Sequence, residues 1–186
     1  MKRTPTRSEG VNATMTATPT ALDTTWERFE ALYRSSRDDV YAYAMTLLRD
    51  TAAAEDVTAL AFERAYRRRR SFDRQRGEER AWLFGIARNA ALDELRRRGR
   101  HATLAFDPAD HDRPHEPVGE DDERRGVVRV ALDGLDARER ELVALKFHAG
   151  LSNAEIARVL GVSESNAGTL LHRTMTKLRR ACDATP

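Results

Sequence analysis

The chain has 186 residues, with 32 Lys and Arg against 30 Asp and Glu and a single cysteine, so its net charge is only +2. A chain of this length accommodates one domain or two small ones, and one cysteine excludes an intrachain disulfide scaffold and points to a reducing, cytoplasmic setting. No apolar run is long enough to cross a bilayer, and Met1 to Thr20 lacks the apolar stretch of a signal peptide.

Residues 1–23 are rich in Thr, Ala and Pro without periodicity and read as a disordered tail. Helical spacing begins near Thr25, with Phe29, Leu32, Tyr33, Val40, Ala44, Leu47 and Leu48 on one broad apolar face. Asp50 or Thr51 is placed to cap a second helix that runs through Val57, Leu60, Ala61, Phe62 and Ala65 to about Arg70. Ser71 to Glu79 is a polar loop containing Gly77, and a third helix follows over about Arg80 to Arg98, with Leu83, Ile86, Ala87, Ala90 and Ala91 inward.

Charge is strongly segregated. Arg67 to Arg70 and Arg96 to Arg98 are unbroken basic runs, whereas from Asp107 to Glu123 eight acidic residues stand against Arg113 alone. Nearly all the cations are arginine, which suits bidentate phosphate and guanine contacts, although a GC-rich genome gives the same bias. Gly99 to about Glu120 also holds Pro108, Pro114, Pro117 and Gly119, the composition of an extended linker over 101–120. His111 and His115 stand among its aspartates, but the proline-broken spacing argues against a preformed metal site.

Helices resume near Asp121, where Val127, Val128, Val130, Ala131 and Leu132 supply an apolar face up to Gly134. Asp136 and Glu139 have capping-box spacing for a helix that buries Leu142, Val143, Leu145 and Phe147, closed by Gly150. Ser152 and Glu155 repeat the box, Gly161 falls where a left-handed stop is needed, and Ser163 is set to cap the next helix. Ile156, Leu160, Val162, Ala167 and Leu170 fall where two crossed helices bury them, which is a helix-turn-helix. Ser163, Ser165, Asn166, Thr169, His172, Arg173 and Lys177 then lie along the side of the second helix that enters a DNA major groove. A helix-Gly-helix corner also occurs as plain packing; two caps, the apolar set and the basic end favour DNA. The fold class is all-α, two small helical bundles joined by a flexible acidic linker.

The third helix has two readings of its own. It is a core helix with a solvated arginine end, or a strand-binding surface in which Trp82 stacks on an unpaired base while Arg88, Asn89, Arg96 and Arg97 follow a phosphate backbone.

Here the residues carry a resemblance. Trp82-Leu83-Phe84-Gly85-Ile86-Ala87-Arg88-Asn89 with Asp93-Glu94-Leu95-Arg96-Arg97 resembles the promoter-melting and −10 segment of bacterial sigma factors of the sigma-70 family, in the extracytoplasmic-function (ECF) group. Ala54-Glu55-Asp56-Val57 and Phe62-Glu63-Arg64-Ala65-Tyr66 resemble the family's polymerase-binding helix. Leu135 to Arg180, with Glu155-Ile156-Ala157 at its centre, resembles its −35 domain. The resemblance implies a region 2-like domain over 24–100 and a region 4-like domain over 121–182. It implies core RNA polymerase as partner, through the beta-prime subunit at Asp56, Phe62 and Arg64 and through the beta flap, together with promoter DNA and an anti-sigma factor. It further implies that the acidic connector threads toward the polymerase active-site channel. No cofactor, metal, small-molecule substrate or bond chemistry is implied. The chain departs from the family pattern at Ala59-Leu60, where a polar, often acidic pair is usual, and at Ala167-Gly168, where the family often has a β-branched residue followed by lysine. The competing readings are a stand-alone helix-turn-helix transcriptional regulator and an interaction protein that sequesters polymerase or a partner helix.

Overall fold

The computed structural model describes residues 21–73, 75, 77–102 and 120–184, and the described residues form helices without strands. The long first helix, α1, spans Ala21–Leu48. It begins earlier than its apolar spacing suggests, so Ala21 to Asp23 are helical rather than part of a tail. It ends where Arg49 enters the left-handed region at φ +52. That one-residue reversal puts Asp50 in extended backbone, and its carboxylate accepts the Ala53 amide at 2.8 Å to start α2, Thr51–Arg68. A 3-10 turn over Arg69–Ser71 leads through the loop into α3, Glu79–Ala102.

The C-terminal lobe starts with α4, Glu120–Asp133, which begins within the expected linker, as α3 ends within it. Then come α5, Ala137–Phe147, α6, Asn153–Leu160, and α7, Glu164–Asp183. Both expected capping boxes are present, Asp136 with Glu139 and Ser152 with Glu155. Gly161 takes φ +70 and ψ +37, a conformation that a Cβ penalises, and Ser163 accepts the Asn166 amide at 3.2 Å. The helix-turn-helix of α6 and α7 therefore follows its caps and its glycine.

Tyr43 and Phe84, both fully buried, meet edge-to-face at 5.6 Å where α1 and α3 cross. The same apolar cluster continues without a break into Leu142 and Leu145 of α5, Leu151, and Ile156 of α6. The two bundles thus share one core rather than standing apart. A smaller cluster of Ala44, Leu48, Ala53, Ala54, Val57, Ala90 and Ala91 closes the other end of the α1–α2–α3 lobe.

Some residues of the apolar faces turn outward. Val130 is 64% exposed and Phe147 60%, and Val128 and Tyr33 are also exposed. Among the described residues α4 is covered on the side of Ala131, which is buried, and Phe147 is the last residue of α5. Leu171, not Leu170, is the buried leucine of α7.

Candidate nucleic-acid interface

The helix-turn-helix presents its polar side to solvent. Ser163, Ser165, Asn166, Thr169, His172, Arg173 and Lys177 are all exposed, and they lie along one flank of α7. The i, i+4 register that brings them together also adds two residues, Thr176 and Arg180. With His172, Arg173 and Lys177 they line a shallow groove of ≈ 390 Å³. Thr176 stands three from Arg173 and four from His172, and Arg180 three from Lys177, so helical spacing identifies both. Two hydroxyls are tied to the helix, Thr169 donating to the Ser165 carbonyl and Thr176 to the His172 carbonyl, each at 2.9 Å. Each keeps its oxygen lone pairs for a ligand. Lys177 is engaged by the Glu139 carboxylate of α5 at 2.6 Å, a pair half open to solvent and therefore weak and salt-sensitive.

Ala167 and Gly168 mark the other flank. Ala167 is buried, and Gly168 faces the Asn153 amide at the start of α6, where an added Cβ would stand 3.5 Å from it. Helix crossing explains the small residue at 167, whereas at 168 the distance is ordinary van der Waals contact and leaves room for a methyl group.

The α3 face is a cleft of ≈ 440 Å³ whose lining includes Arg68, Phe72, Gly77, Trp82 and Asn89. Trp82 is half-buried and leans on Phe72, with ring centroids 5.4 Å apart. Asn89 is exposed at its rim. Arg88 is engaged within the protein. Its Nε donates to Glu141 of α5 at 2.7 Å, and the two side chains are only 23% and 10% exposed. Arg88 therefore lies in the seam between the lobes instead of following an open surface, because α5 packs across α1 beside it. Burial, followed by the nearby Glu141 charge, pushes the Tyr43 hydroxyl well above the ordinary phenol range, and that hydroxyl donates to Glu141 at 3.2 Å.

Arg96 and Arg97 are exposed near the end of α3 but are paired along it. Arg96 meets Asp93 at 3.1 Å, and Arg97 grips Glu94 with two bonds of 2.7 Å. The hydrogen bonds from Arg97 are the largest influence on Glu94; with those from Arg98 they outweigh burial and hold its carboxyl down at about 2. The arginine run is thus held by ion pairs within α3 and, through Arg98, to Asp50 at 3.1 Å, and a phosphate would compete with these carboxylates.

On α2, Asp56 is exposed and Arg64 is half-exposed, 3.4 Å from Asp93 of α3. Phe62 is a core residue instead, 4% exposed, with its ring against Tyr33 at 4.8 Å and Phe29 at 6.5 Å. A β-pattern or helix-face argument does not separate such a residue from a docking contact. Ala59 is exposed, while Leu60 packs on the second cluster. Among the described residues no group of His, Cys, Asp and Glu is arranged to hold a metal ion, and the expectations for His111, His115 and the acidic connector lie outside them. No described helix is long and apolar enough to cross a membrane.

An α-helical pair of lobes, one bearing an aromatic-lined cleft and the other a helix-turn-helix with a basic flank, defines a class of two-region DNA-binding proteins. Residues 32–101 match the family model of sigma-70 region 2, and residues 125–178 match that of sigma-70 region 4. The chain belongs to the sigma-70 family, in its ECF group. It is 27% identical to the ECF RNA polymerase sigma factor SigK of Mycobacterium tuberculosis (strain ATCC 25618 / H37Rv), over 83% of this chain and 86% of that relative. It is 32% identical to the ECF RNA polymerase sigma factor BldN of Streptomyces coelicolor over 83% of this chain and 60% of that one. Among solved structures, CnrH in complex with the cytosolic domain of CnrY aligns with a TM-score of 0.61 at 26% identity, covering 87% of this chain and 91% of CnrH. The fold also matches the sigma factor RpoE in complex with the anti-sigma factor NepR from Bartonella quintana, with a TM-score of 0.69, 20% identity, and coverage of 86% and 99%.

Proposed function

We infer that this chain directs core RNA polymerase to a set of promoters and assists their opening, with the α7 flank reading the −35 duplex and the α3 face holding −10 bases. The observation that carries this reading is the ordered presence of both sigma-70 regions on one chain, each with its own polar surface suited to a different form of DNA. Ser163, Ser165, Asn166 and Thr169, at the start of α7, are placed for base edges. His172, Arg173 and Lys177 are placed for phosphate. Trp82 and Asn89 line a cleft beside α3, where aromatic stacking on an unpaired base offsets part of the unstacking cost, a few kcal/mol. Arg88, Arg96 and Arg97 serve the backbone beside it once released from their carboxylates.

Core polymerase docks on the α2 face at Asp56 and Arg64, on the beta-prime subunit, with Phe62 supporting that face from within. The α4–α7 lobe meets the beta flap. Held by polymerase, two individually weak DNA sites gain avidity from effective concentration. Strand opening is driven by binding, and the chain carries out no bond chemistry of its own; its place of work is the cytoplasm. Control by an anti-sigma factor fits the complex in which RpoE of Bartonella quintana was solved.

The test is transcription in vitro with purified core polymerase on a genomic library, with start sites mapped. Initiation dependent on this chain is expected at a shared promoter element. Arg173→Glu is expected to abolish it, and Trp82→Ala to allow promoter binding while impairing opening. Binding to core without directed initiation would overturn the reading.

A further inference from the structure

A second aromatic surface flanks the α3 cleft. Tyr66 of α2 is met edge-on by Trp26 of α1, at 5.9 Å between ring centroids, and by Phe29 at 5.1 Å. The Arg69 guanidinium lies over the Tyr66 ring at 3.9 Å and is pinned there, its Nη1 donating to the Tyr66 carbonyl at 2.7 Å. Trp26 is 53% exposed and Tyr66 36%, so these rings form an open ridge rather than core. Trp26 and Phe29 precede residue 32, where the match to sigma-70 region 2 begins.

Ridge and cleft meet across one turn of chain. Arg68, which closes α2, lines the cleft with Phe72 and Trp82, and Arg69, the next residue, lies on Tyr66. On the far side Arg28 of α1 pairs with Glu79 at 3.5 Å, and Glu79 opens α3 directly after Glu78 of the cleft lining. The surrounding charge is basic. Glu30 is taken by Arg34 and Glu63 by Arg67, each at 2.6 Å, as Glu79 is by Arg28. Arg68, Arg69 and Arg70 then outnumber Glu27, the exposed carboxylate beside Trp26, and set the sign of the local field.

We propose that the Trp26–Tyr66–Arg69 ridge is a second stacking site for the single strand of DNA held in the cleft, taking bases that follow the one on Trp82, with Arg68 and Arg70 on their phosphates. The proposal rests on the reading of the cleft as the strand-binding site.

An unpaired strand carries apolar base faces on a charged backbone, and aromatic rings interleaved with arginines complement both. Trp26 presents an indole open to solvent. Arg69, packed on Tyr66 through one face of its guanidinium, keeps the other face as a planar cation on which a base can lie. Every base has such a face, so the ridge adds affinity for strand without reading sequence. The exposed stripe of α2 also changes sign along its length, from Glu55, Asp56 and Glu63 to Arg67 and Arg70. A protein docked over its acidic part leaves the basic end to nucleic acid.

The test uses the chain assembled with core polymerase and a promoter fork built from the mapped start sites, its single-stranded overhang lengthened one nucleotide at a time past the −10 bases. Affinity is expected to rise again once the overhang extends beyond the cleft. Trp26→Ala is expected to remove that second rise, a loss of about tenfold on the long overhang, and to leave the short one unchanged. Arg69→Lys keeps the charge without the plane and is expected to lose part of the rise. Tyr33→Ala, at an exposed ring about two turns further along α1, is expected to change neither.

A second rise that survives Trp26→Ala, with the fold retained by circular dichroism, overturns the proposal. So does a Trp26→Ala chain that binds core polymerase more weakly in the absence of DNA and keeps the rise, since the ridge is then a protein contact. Trp82→Ala on the short overhang separates the two levels of failure. If it lowers affinity there while Trp26→Ala changes nothing, the cleft holds strand and the ridge alone is wrong. If neither variant lowers affinity, the strand-binding reading of the cleft has failed as well.

Discussion

Two glycines of the helix-turn-helix, Gly161 and Gly168, are expected to respond to alanine in opposite directions. At Gly161 the backbone sits at φ +70 and ψ +37, and a Cβ there would meet nothing within 4 Å. The whole cost is therefore conformational, about 1–2 kcal/mol for an L-residue in the left-handed region. Part of that is offset by the smaller entropy of the unfolded alanine chain, about 0.4–1 kcal/mol. Gly161→Ala is thus expected to destabilise by about 1 kcal/mol. Gly168 lies inside α7 in ordinary helical backbone, and a Cβ there meets only Asn153 Nδ2, at 3.5 Å. That is normal van der Waals contact, so Gly168→Ala recovers the helix propensity lost to glycine, about 0.8–1 kcal/mol. Thermal melting followed by circular dichroism checks both. For a chain of this size the shifts are about 2–4 °C per kcal/mol, downward for Gly161→Ala and upward for Gly168→Ala. Shifts of the same sign would refute the assignment of strain to one glycine and mere flexibility to the other.

Further substitutions probe other parts of the structure. Ser152→Ala removes one half of the α6 capping box and is expected to cost about 1 kcal/mol in urea unfolding, with little change in the denaturant slope. Phe84→Ala empties a fully buried ring position and is expected to cost about 3–5 kcal/mol, whereas Phe147→Ala, at a mostly exposed ring, stays within about 0.5 kcal/mol of the parent. Glu94 is held at about 2 in the folded chain, below its ordinary 4.5. Its ionised form therefore favours folding fully above the ordinary value, and that contribution is lost as pH falls through about 2. In Glu94→Gln this part of the acid dependence disappears, so the stability gap between parent and variant, measured by denaturation across pH, closes as the solution is acidified.

The local signals carried far in this chain because they concern neighbours in sequence. Ser152 with Glu155, Asp136 with Glu139, Gly161 and Ser163 act over three or four residues, and each takes the conformation its spacing requires. The exposed flank of α7 follows from the same helical period once the buried side is known. Arg49 shows the limit of such reading. It turns the chain at φ +52 where glycine would be expected, and no residue type announces it.

Composition and periodicity by themselves determined the helices, their caps and the helix-turn-helix, since hydrogen bonding within a helix and its ends depends on adjacent residues alone. Tertiary structure decided everything that depends on meeting a distant partner. Arg88 reads as a free cation in sequence, yet it lies against Glu141, 53 positions away. Phe62 reads equally as contact or core, and it is core because α1 supplies Phe29 and Tyr33. Val130 and Phe147 fit an apolar pattern but face outward, because among the described residues no helix covers them. Burial belongs to pairs of surfaces, and only the packed chain brings both surfaces together.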